Sequence, residues 1–572
     1  MPTELDLRVR KTIAALTAEG GLAALTHFRQ HGVDLPMVAS APPALPQYFA
    51  HFCAQHGDTP FIVDGDQRYS FAQIYEAARE VAGALVAGQG VKKGDRVGIA
   101  MRNAPSWIVL YMGILMAGGC ATLLNGWWQG AELAEGLDDV ETSLVFVDAP
   151  RAKRLSDAGY AGGTRIVTLD IALPLEQALA PVMAAGGGAD TDLPDIGGDD
   201  LATILFTSGS TGKSKGAYSC HRAVVQGVFN YVVQALMLLQ LGTEDGTIKP
   251  DRPQHATLMT VPLFHVTGEV PMMLVSFAIG RKIVMMPKWD VVKAMELIQA
   301  EKITNFTGVP LMSFELFSHP DRHKYDLSSL QGLAAGGAPR PPEHVRRMQE
   351  ELPNAPPALG YGLTETNGVG CGNFSSNYIA KPNSTGAASA PLVDLAILDD
   401  AGKPLPQGTR GEVCLRTIAL FSGYWGRPDA SAECMTVDGY FRTGDVGYLD
   451  EDGYLFIVDR KKDIIIRGGE NISCQEVEAA IYENAAVAEC AVFGLPDDRL
   501  GEIPGAVVYF HPGEALSEAA LGEFLIKDLA AFKIPAKIWI EDSPLPRLGT
   551  EKIDKVSLRK QYRAEWEAAT KA

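Results

Sequence analysis

A chain of 572 residues is too long for a single hydrophobic core, so several domains or subdomains are expected. Its 47% hydrophobic and 21% charged residues are ordinary for a globular protein, and the formal net charge of −19 argues against a general nucleic-acid binder or a protein drawn to anionic membranes. Eight widely spaced cysteines without a C-x-x-C pair argue against a disulfide framework or a zinc site and fit a reducing cytoplasm.

Residues 1–45 read as a helical leader with scattered charges and no signal-peptide core, closing in a proline-rich linker, "APPALP". From 80 to 200, helical patterns alternate with apolar strands such as "RVGIAM" and "SLVFVD", which is the α/β signature. "ATILF" (202–206) predicts a short buried strand running into a glycine- and serine-rich loop. The most apolar stretch, Ala256–Gly280, is interrupted by Pro262, His265, Glu269 and Pro271, so it reads as core rather than as a membrane span. "VVKAMELIQAEK" and "VRRMQEEL" predict amphipathic helices. Between 395 and 460, short strands separated by Gly and Asp turns predict a β-rich subdomain. After 470 the pattern is helix, strand, strand, helix, strand, with Ser473 and Glu476 as a capping box for the first helix. The expected fold is therefore α/β: a large domain over 46–459 made of α/β subdomains plus a β-rich one, and a small α+β domain over 460–572.

Several short motifs carry chemistry. "TSGSTGKSKG" (207–216) fails the Walker A pattern, because Thr207 stands where its first glycine belongs. Ser208, Ser210 and Thr211 still offer hydroxyls, Gly209 and Gly212 let backbone N–H groups converge, and Lys213 and Lys215 add charge, all suited to phosphate. A surface linker has the same composition. In "LGYGLTET", Tyr361 can stack on a base, Thr364 can bond phosphate and Glu365 can hold Mg²⁺; a capped glycine turn would read the same. Asp445, in "YFRTGD", can accept both hydroxyls of a ribose or can be a turn residue. His265 lies in an apolar run, where core packing and catalysis are both open. Lys552 lies in the polar "GTEKIDK", where surface exposure is the plain alternative.

Taken together and in order, "TSGSTGKSKG", "GGAP", "YGLTE", "GEV", "GYWGRPDAS", "GYFRTGD", "DRKKDIIIRGGENI" and "GTEKIDK" resemble the adenylate-forming superfamily of acyl-CoA synthetases, luciferases and peptide-synthetase adenylation domains, from about 69 to 555. The resemblance implies that the loop closes over the β- and γ-phosphates of ATP. It places Gly337, Ala338, Pro339 and Tyr361 around adenine, Thr364 on the phosphates, Glu365 on Mg²⁺, and Asp445 with Arg460 on the ribose. Lys552 would reach the carboxylate and α-phosphate, and His265 would lie beside the acyl carboxylate. Lys462 matches a hinge about which a mobile small domain turns, and Gly468, Gly469 and Glu470 match a loop lining the thiol passage. Two positions depart from the pattern: Ser214 stands where proline is common, and Glu551 where glycine precedes the lysine.

The implied activity is an ATP-dependent, AMP-forming acyl-CoA synthetase with ATP, Mg²⁺ and CoA. Loading of a carrier protein, and a luciferase-like or silent protein, are the alternatives. "AAFKIP" and the absence of a carrier segment after Lys552 favour the first. Gly362 stands where the resemblance to acetyl-CoA synthetases would put a pocket-closing tryptophan, and Phe264, Val266, Val309 and Gly336 are apolar or small. That combination predicts an open pocket for a bulky hydrophobic monocarboxylic acid, medium-to-long fatty acids ahead of aromatic or polycyclic ones, with Trp127 and Trp128 either lining it or packing in the core or at the surface.

Overall fold

A computed structural model describes residues 2–207, 214–248, 253–336, 340, 342–468, 470–548 and 552–571. Contacts divide the chain into two compact units: residues 1–340, 344–395 and 415–441, and residues 341–343, 396–414 and 442–572. Of the β-rich segment, 396–414 and 442–460 thus group with the C-terminal residues while 415–441 groups with the first unit, and no division falls at 459/460.

The first unit is built on two large sheets. In one, Arg165–Leu169, Leu144–Asp148, Arg96–Ala100, Cys120–Leu123 and Leu201–Thr207 run parallel, and Lys215–Cys220 returns antiparallel beside the last of them. In the other, Pro60–Asp64, Lys282–Met285, Ala256–Met259, Asn305–Gly308, Gly332–Gly336 and Pro357–Gly362 are parallel neighbours. Near-continuous apolar strands of this kind need cover on both faces. The helix Pro105–Met116, apolar all round, is buried along its whole length.

The segment "APPALP" is not a linker. Ala44 and Leu45 are fully buried, and Pro46 sits in the first turn of the helix Leu45–His56, where a missing N–H costs nothing. Nor is the leader a bare helix. Glu4–Thr17 starts with a Thr3/Asp6 capping box, and the antiparallel pair Leu25–Gln30 and Val33–Val38 follows; Ile13, Leu16, Leu35 and Val38 join the main core.

Ala256–Gly280 is core, as expected, although its centre is a π-helix, Gly268–Leu274. Pro271 cannot donate within this helix, and Arg281 Nη2 donates to the carbonyls of Pro271 (2.8 Å) and Met272 (2.7 Å). Among the described residues one helix, His221–Glu244, is long and apolar enough to cross a membrane, and 56% of its apolar window is buried inside the protein.

The second unit contains an antiparallel pair, Phe441–Leu449 with Leu455–Arg460, and a sheet dominated by the long hairpin Val487–Asp497 and Gly501–Phe510, joined in parallel by Lys537–Glu541. Ser473 caps the helix Cys474–Tyr482 by accepting from Glu476 N–H at 3.0 Å, while the Glu476 carboxylate pairs with Lys533. The predicted N-cap holds through its serine half.

Candidate active site

The two strands flanking the phosphate-type loop place Thr207 directly opposite Lys215. Ser208, Gly209, Ser210, Thr211, Gly212 and Lys213 lie outside the described residues, as do Gly337, Ala338, Pro339, Gly469 and Glu551. Lys215 Nζ lies 5.0 Å from the centre of the Tyr424 ring, and the Tyr424 hydroxyl donates to Glu365 Oε1 at 2.7 Å. Burial and the adjacent carboxylate push that phenol well up, so it stays a donor. The structure therefore joins the cation at one end of the loop to Glu365 through a tyrosine to which sequence reading gave no role. Its only signal was its place inside "GYWGRPDAS".

Thr364, Glu365 and Thr366 form a single 3₁₀ turn after the strand that ends in Tyr361 and Gly362. Thr366 Oγ1 donates to the carbonyl of Val369 and accepts from Leu363 N–H, and Asn367, left-handed at φ 48°, donates to Ser219 Oγ and to the Ala419 carbonyl. Glu365 is only 8% exposed. A single, well-held carboxylate fits Mg²⁺, which is commonly bound by one or two carboxylates plus substrate phosphates; among the described residues there is no cluster of three acidic, His or Cys side chains to cage an ion instead. Tyr424→Phe, which removes the hydrogen bond to Glu365, is expected to raise the Mg²⁺ concentration needed for half-maximal turnover by about tenfold or more, the value of one hydrogen bond to a charged group. An unchanged Mg²⁺ titration would separate the tyrosine from the site.

Gly362 has a different reason from the one expected. A Cβ there would overlap the carbonyl oxygen of Gly368, so the backbone itself fills the space. Glycine at 362 thus reports this close approach and is no sign of an open pocket. Of the tryptophans in "NGWWQG", Trp127 stacks under the guanidinium groups of Arg102 and Arg151, and Trp128 packs edge-on against Phe206. Both are packing residues.

His265 is half-buried. Thr267 N–H donates to its Nδ1 at 3.2 Å, which puts the ring proton of the neutral imidazole on Nε2. Asn103 clamps the approach to it: its side-chain amide donates to Val261 O (2.8 Å) and accepts from Leu263 N–H (2.9 Å).

In the second unit, Asp445 and Arg460 are register partners across adjacent strands, with Arg460 Nε 3.0 Å from Asp445 Oδ1. Asp445 is buried while Arg460 stays 45% exposed, so the carboxylate is fixed and the guanidinium retains access to solvent. Lys552 belongs to the same group. Burial and the Arg460 charge lower its pKa to about 8, and Asp445 opposes part of that shift. Lys462 lies in a turn in which Asp463 and Ile464 N–H both donate to the Arg460 carbonyl. Gly468 has φ 58°, a value that favours glycine, and its N–H donates to Leu500 O at 2.7 Å.

If the Lys552 ammonium stabilises negative charge, its contribution is present below about pH 8 and is lost as pH rises through that value, because a lysine with a lowered pKa deprotonates there. The kcat/KM for ATP in adenylation, which reports the ligand-free protein, is expected to fall above about pH 8 in the wild type. A flat profile to pH 10 would rule out this role.

The sequence matches the family model for AMP-binding enzymes over residues 49–425 and that for the AMP-binding enzyme C-terminal domain over 476–552. It is 32% identical to a 3-[(3aS,4S,7aS)-7a-methyl-1,5-dioxo-octahydro-1H-inden-4-yl]propanoyl:CoA ligase of Rhodococcus jostii, over 91% of this chain and 99% of that protein. It is also 32% identical to a long-chain-fatty-acid–CoA ligase of Mycobacterium tuberculosis, over 87% of this chain and 94% of that protein. An ATP-bound MatB structure from Rhodopseudomonas palustris superposes with a TM-score of 0.79 at 29% identity, covering 91% of this chain and 99% of the other.

Proposed function

The chain belongs to the AMP-binding enzyme family and is an acid–thiol ligase of the AMP-forming kind, and we propose that it activates a hydrophobic monocarboxylic acid and passes the acyl group to CoA. The observation that carries the reading is the grouping of Asp445, Arg460 and a low-pKa Lys552 in one unit. A ribose with two adjacent hydroxyls suits a buried carboxylate of fixed orientation, and the two cations beside it suit phosphate.

In the first half-reaction a substrate carboxylate oxygen attacks the α-phosphorus of ATP and the bond to pyrophosphate breaks. A carboxylate is a weak nucleophile, so alignment and neutralisation of the phosphates lower most of the barrier. Lys552 supplies its ammonium to the carboxylate and α-phosphate. Asp445, assisted by Arg460, holds the ribose, Tyr361 stacks on adenine, and Thr207, Thr364 and Lys215, with the loop 208–213, hold the phosphates. Glu365 would hold Mg²⁺, which supplies charge neutralisation at the phosphates when bound. His265 orients the acyl carboxylate through Nε2–H. In the second half-reaction the CoA thiol attacks the carbonyl carbon and AMP leaves. Lys462 is the hinge between the two steps, and Gly468, Gly469 and Glu470 line the passage of the thiol. The protein works as a soluble cytoplasmic enzyme on small molecules.

The substrate class follows from Phe264 and Val266, buried and apolar beside His265, where a second charge brought by a dicarboxylate or an amino acid would lose its hydration. The test is kcat/KM for AMP and thioester formation across acetate, octanoate, palmitate, benzoate, a cinnamate and a steroid acid. Preference for the larger monocarboxylates is expected. Preference for acetate or for an amino acid would overturn the substrate class, and AMP release that needs a carrier protein instead of CoA would overturn the acceptor.

A further inference from the structure

A turn about Lys462 must break whatever contacts span it, and one group of these lies in the interior. The strand Leu455–Arg460 precedes Lys462 and the helix Cys474–Tyr482 follows it. Ser473, the N-cap of that helix, donates from Oγ to the carbonyl of Val458 at 2.7 Å. Asp459 is only 2% exposed. Its Oδ2 accepts from Gln475 N–H at 3.3 Å and its Oδ1 from Arg460 N–H at 2.7 Å. The carboxyl thus closes the first turn of the helix, where unpaired N–H groups and the helix dipole favour an acceptor.

This seat connects to both sides of the site. On the strand, the next residue, Arg460, pairs with Asp445. On the helix, Glu478 holds Lys555 Nζ at 2.6 Å and also accepts from Val492 N–H at 2.7 Å. Lys555 opens the last helix, Lys555–Lys571, three residues after Lys552, whose carbonyl accepts from Leu548 N–H at 2.7 Å. Seating the helix on the strand therefore fixes where the segment of Lys552 lies relative to Asp445 and Arg460. The bonds that favour this arrangement oppose any other. Val458 and Asp459 stay with the ribose candidates, while Ser473 and Gln475 leave with the part that turns.

We propose that Asp459 and Ser473 are positioning residues for the first half-reaction: they latch the helix Cys474–Tyr482 to the strand Leu455–Arg460, hold Lys552 beside Asp445 and Arg460, and part before the thiol step. The proposal rests on the synthetase reading and its hinge at Lys462. It makes the latch selective. Each kcat/KM measures a transition state against the same free protein, so in a ratio of two such values the free protein and the folded fraction cancel. Only interactions that differ between the two transition states remain, and the latch is present in the first alone.

The two quantities are kcat/KM for ATP in octanoyl-adenylate formation and kcat/KM for supplied octanoyl-adenylate in thioester formation at fixed CoA. The ratio of the first to the second is expected to fall about tenfold or more in Asp459→Ala and about fivefold in Ser473→Ala, the values of a charged and a neutral hydrogen bond. Asp459→Asn, whose single oxygen leaves less acceptor capacity for the two N–H groups, should give a smaller fall than Asp459→Ala. Lys533→Met removes the ion pair with Glu476 in the same first turn, wholly within the part that turns, and should keep the wild-type ratio. If Asp459→Ala does not fold, Asp459→Asn and Ser473→Ala decide. An unchanged ratio in Asp459→Ala, or a fall there with none in Ser473→Ala, overturns the latch and leaves the synthetase reading intact; the second pattern traces the effect to Arg460 instead. A matching fall in Lys533→Met overturns it as well, because helix stability alone would then account for the change. No octanoyl-adenylate formed by the wild type overturns the synthetase reading, and the latch with it.

Discussion

Replacing Lys552 by alanine is expected to slow acyl-adenylate formation by about 10²- to 10³-fold, the usual loss when one preorganised donor to developing charge is removed. Thioester formation from a supplied acyl-adenylate should stay close to the wild-type rate, because phosphoryl transfer is already complete in that substrate. The structural ground for the split is that Lys552 shares its surroundings with the ribose candidates Asp445 and Arg460 and holds a pKa of about 8, set first by burial and then by the Arg460 charge. A cation kept at that point by the fold is poised for phosphate charge. Single-turnover assays of each half-reaction make the measurement, and an equal loss in both would remove Lys552 from the first step.

Asp445→Ala should have the second-largest effect. Two charge-assisted hydrogen bonds to ribose hydroxyls are worth about 1.5–3 kcal/mol each, so KM for ATP is expected to rise by at least about 10²-fold. The same substitution has a consequence that a purely structural role would not produce. Asp445 raises the Lys552 pKa against burial and Arg460, so without it the alkaline limit of adenylation should move below pH 8. A raised KM with an unmoved pH limit would show that the carboxylate and the lysine act apart. An unchanged KM would remove the ribose assignment.

Much of this arrangement is legible in the residues. The parallel strands "RVGIAM" and "SLVFVD" stand out because burial on both faces makes such strands almost wholly apolar. The small domain's strands, and the serine that caps its first helix, are equally plain, since local pattern and tertiary packing agree there. "APPALP" misleads because its composition is that of a linker, and only packing against the core decides that Ala44 and Leu45 begin a helix.

The candidates Thr364, Glu365, Asp445 and Lys552 stand out through their motifs, while the side chains packed around them do not. Tyr424 reaches Glu365 from 59 positions away, a pairing no local pattern encodes. Glycine at 362 is equally compatible in sequence with open space and with close backbone approach, and the Gly368 carbonyl shows it to be the second. Glu269 looks like an interruption in an apolar run until burial shows that it lies inside the core, with one of its two oxygens matched by Tyr111.

The central claim is that the acid is activated on ATP before any thiol is needed. Acid-dependent exchange of labelled pyrophosphate into ATP, measured with octanoate in the absence of CoA, tests it most directly. Robust exchange that requires both the acid and Mg²⁺ is expected, followed on CoA addition by equal amounts of AMP and octanoyl thioester. Exchange that appears only once CoA is present, or ADP in place of AMP, would contradict it.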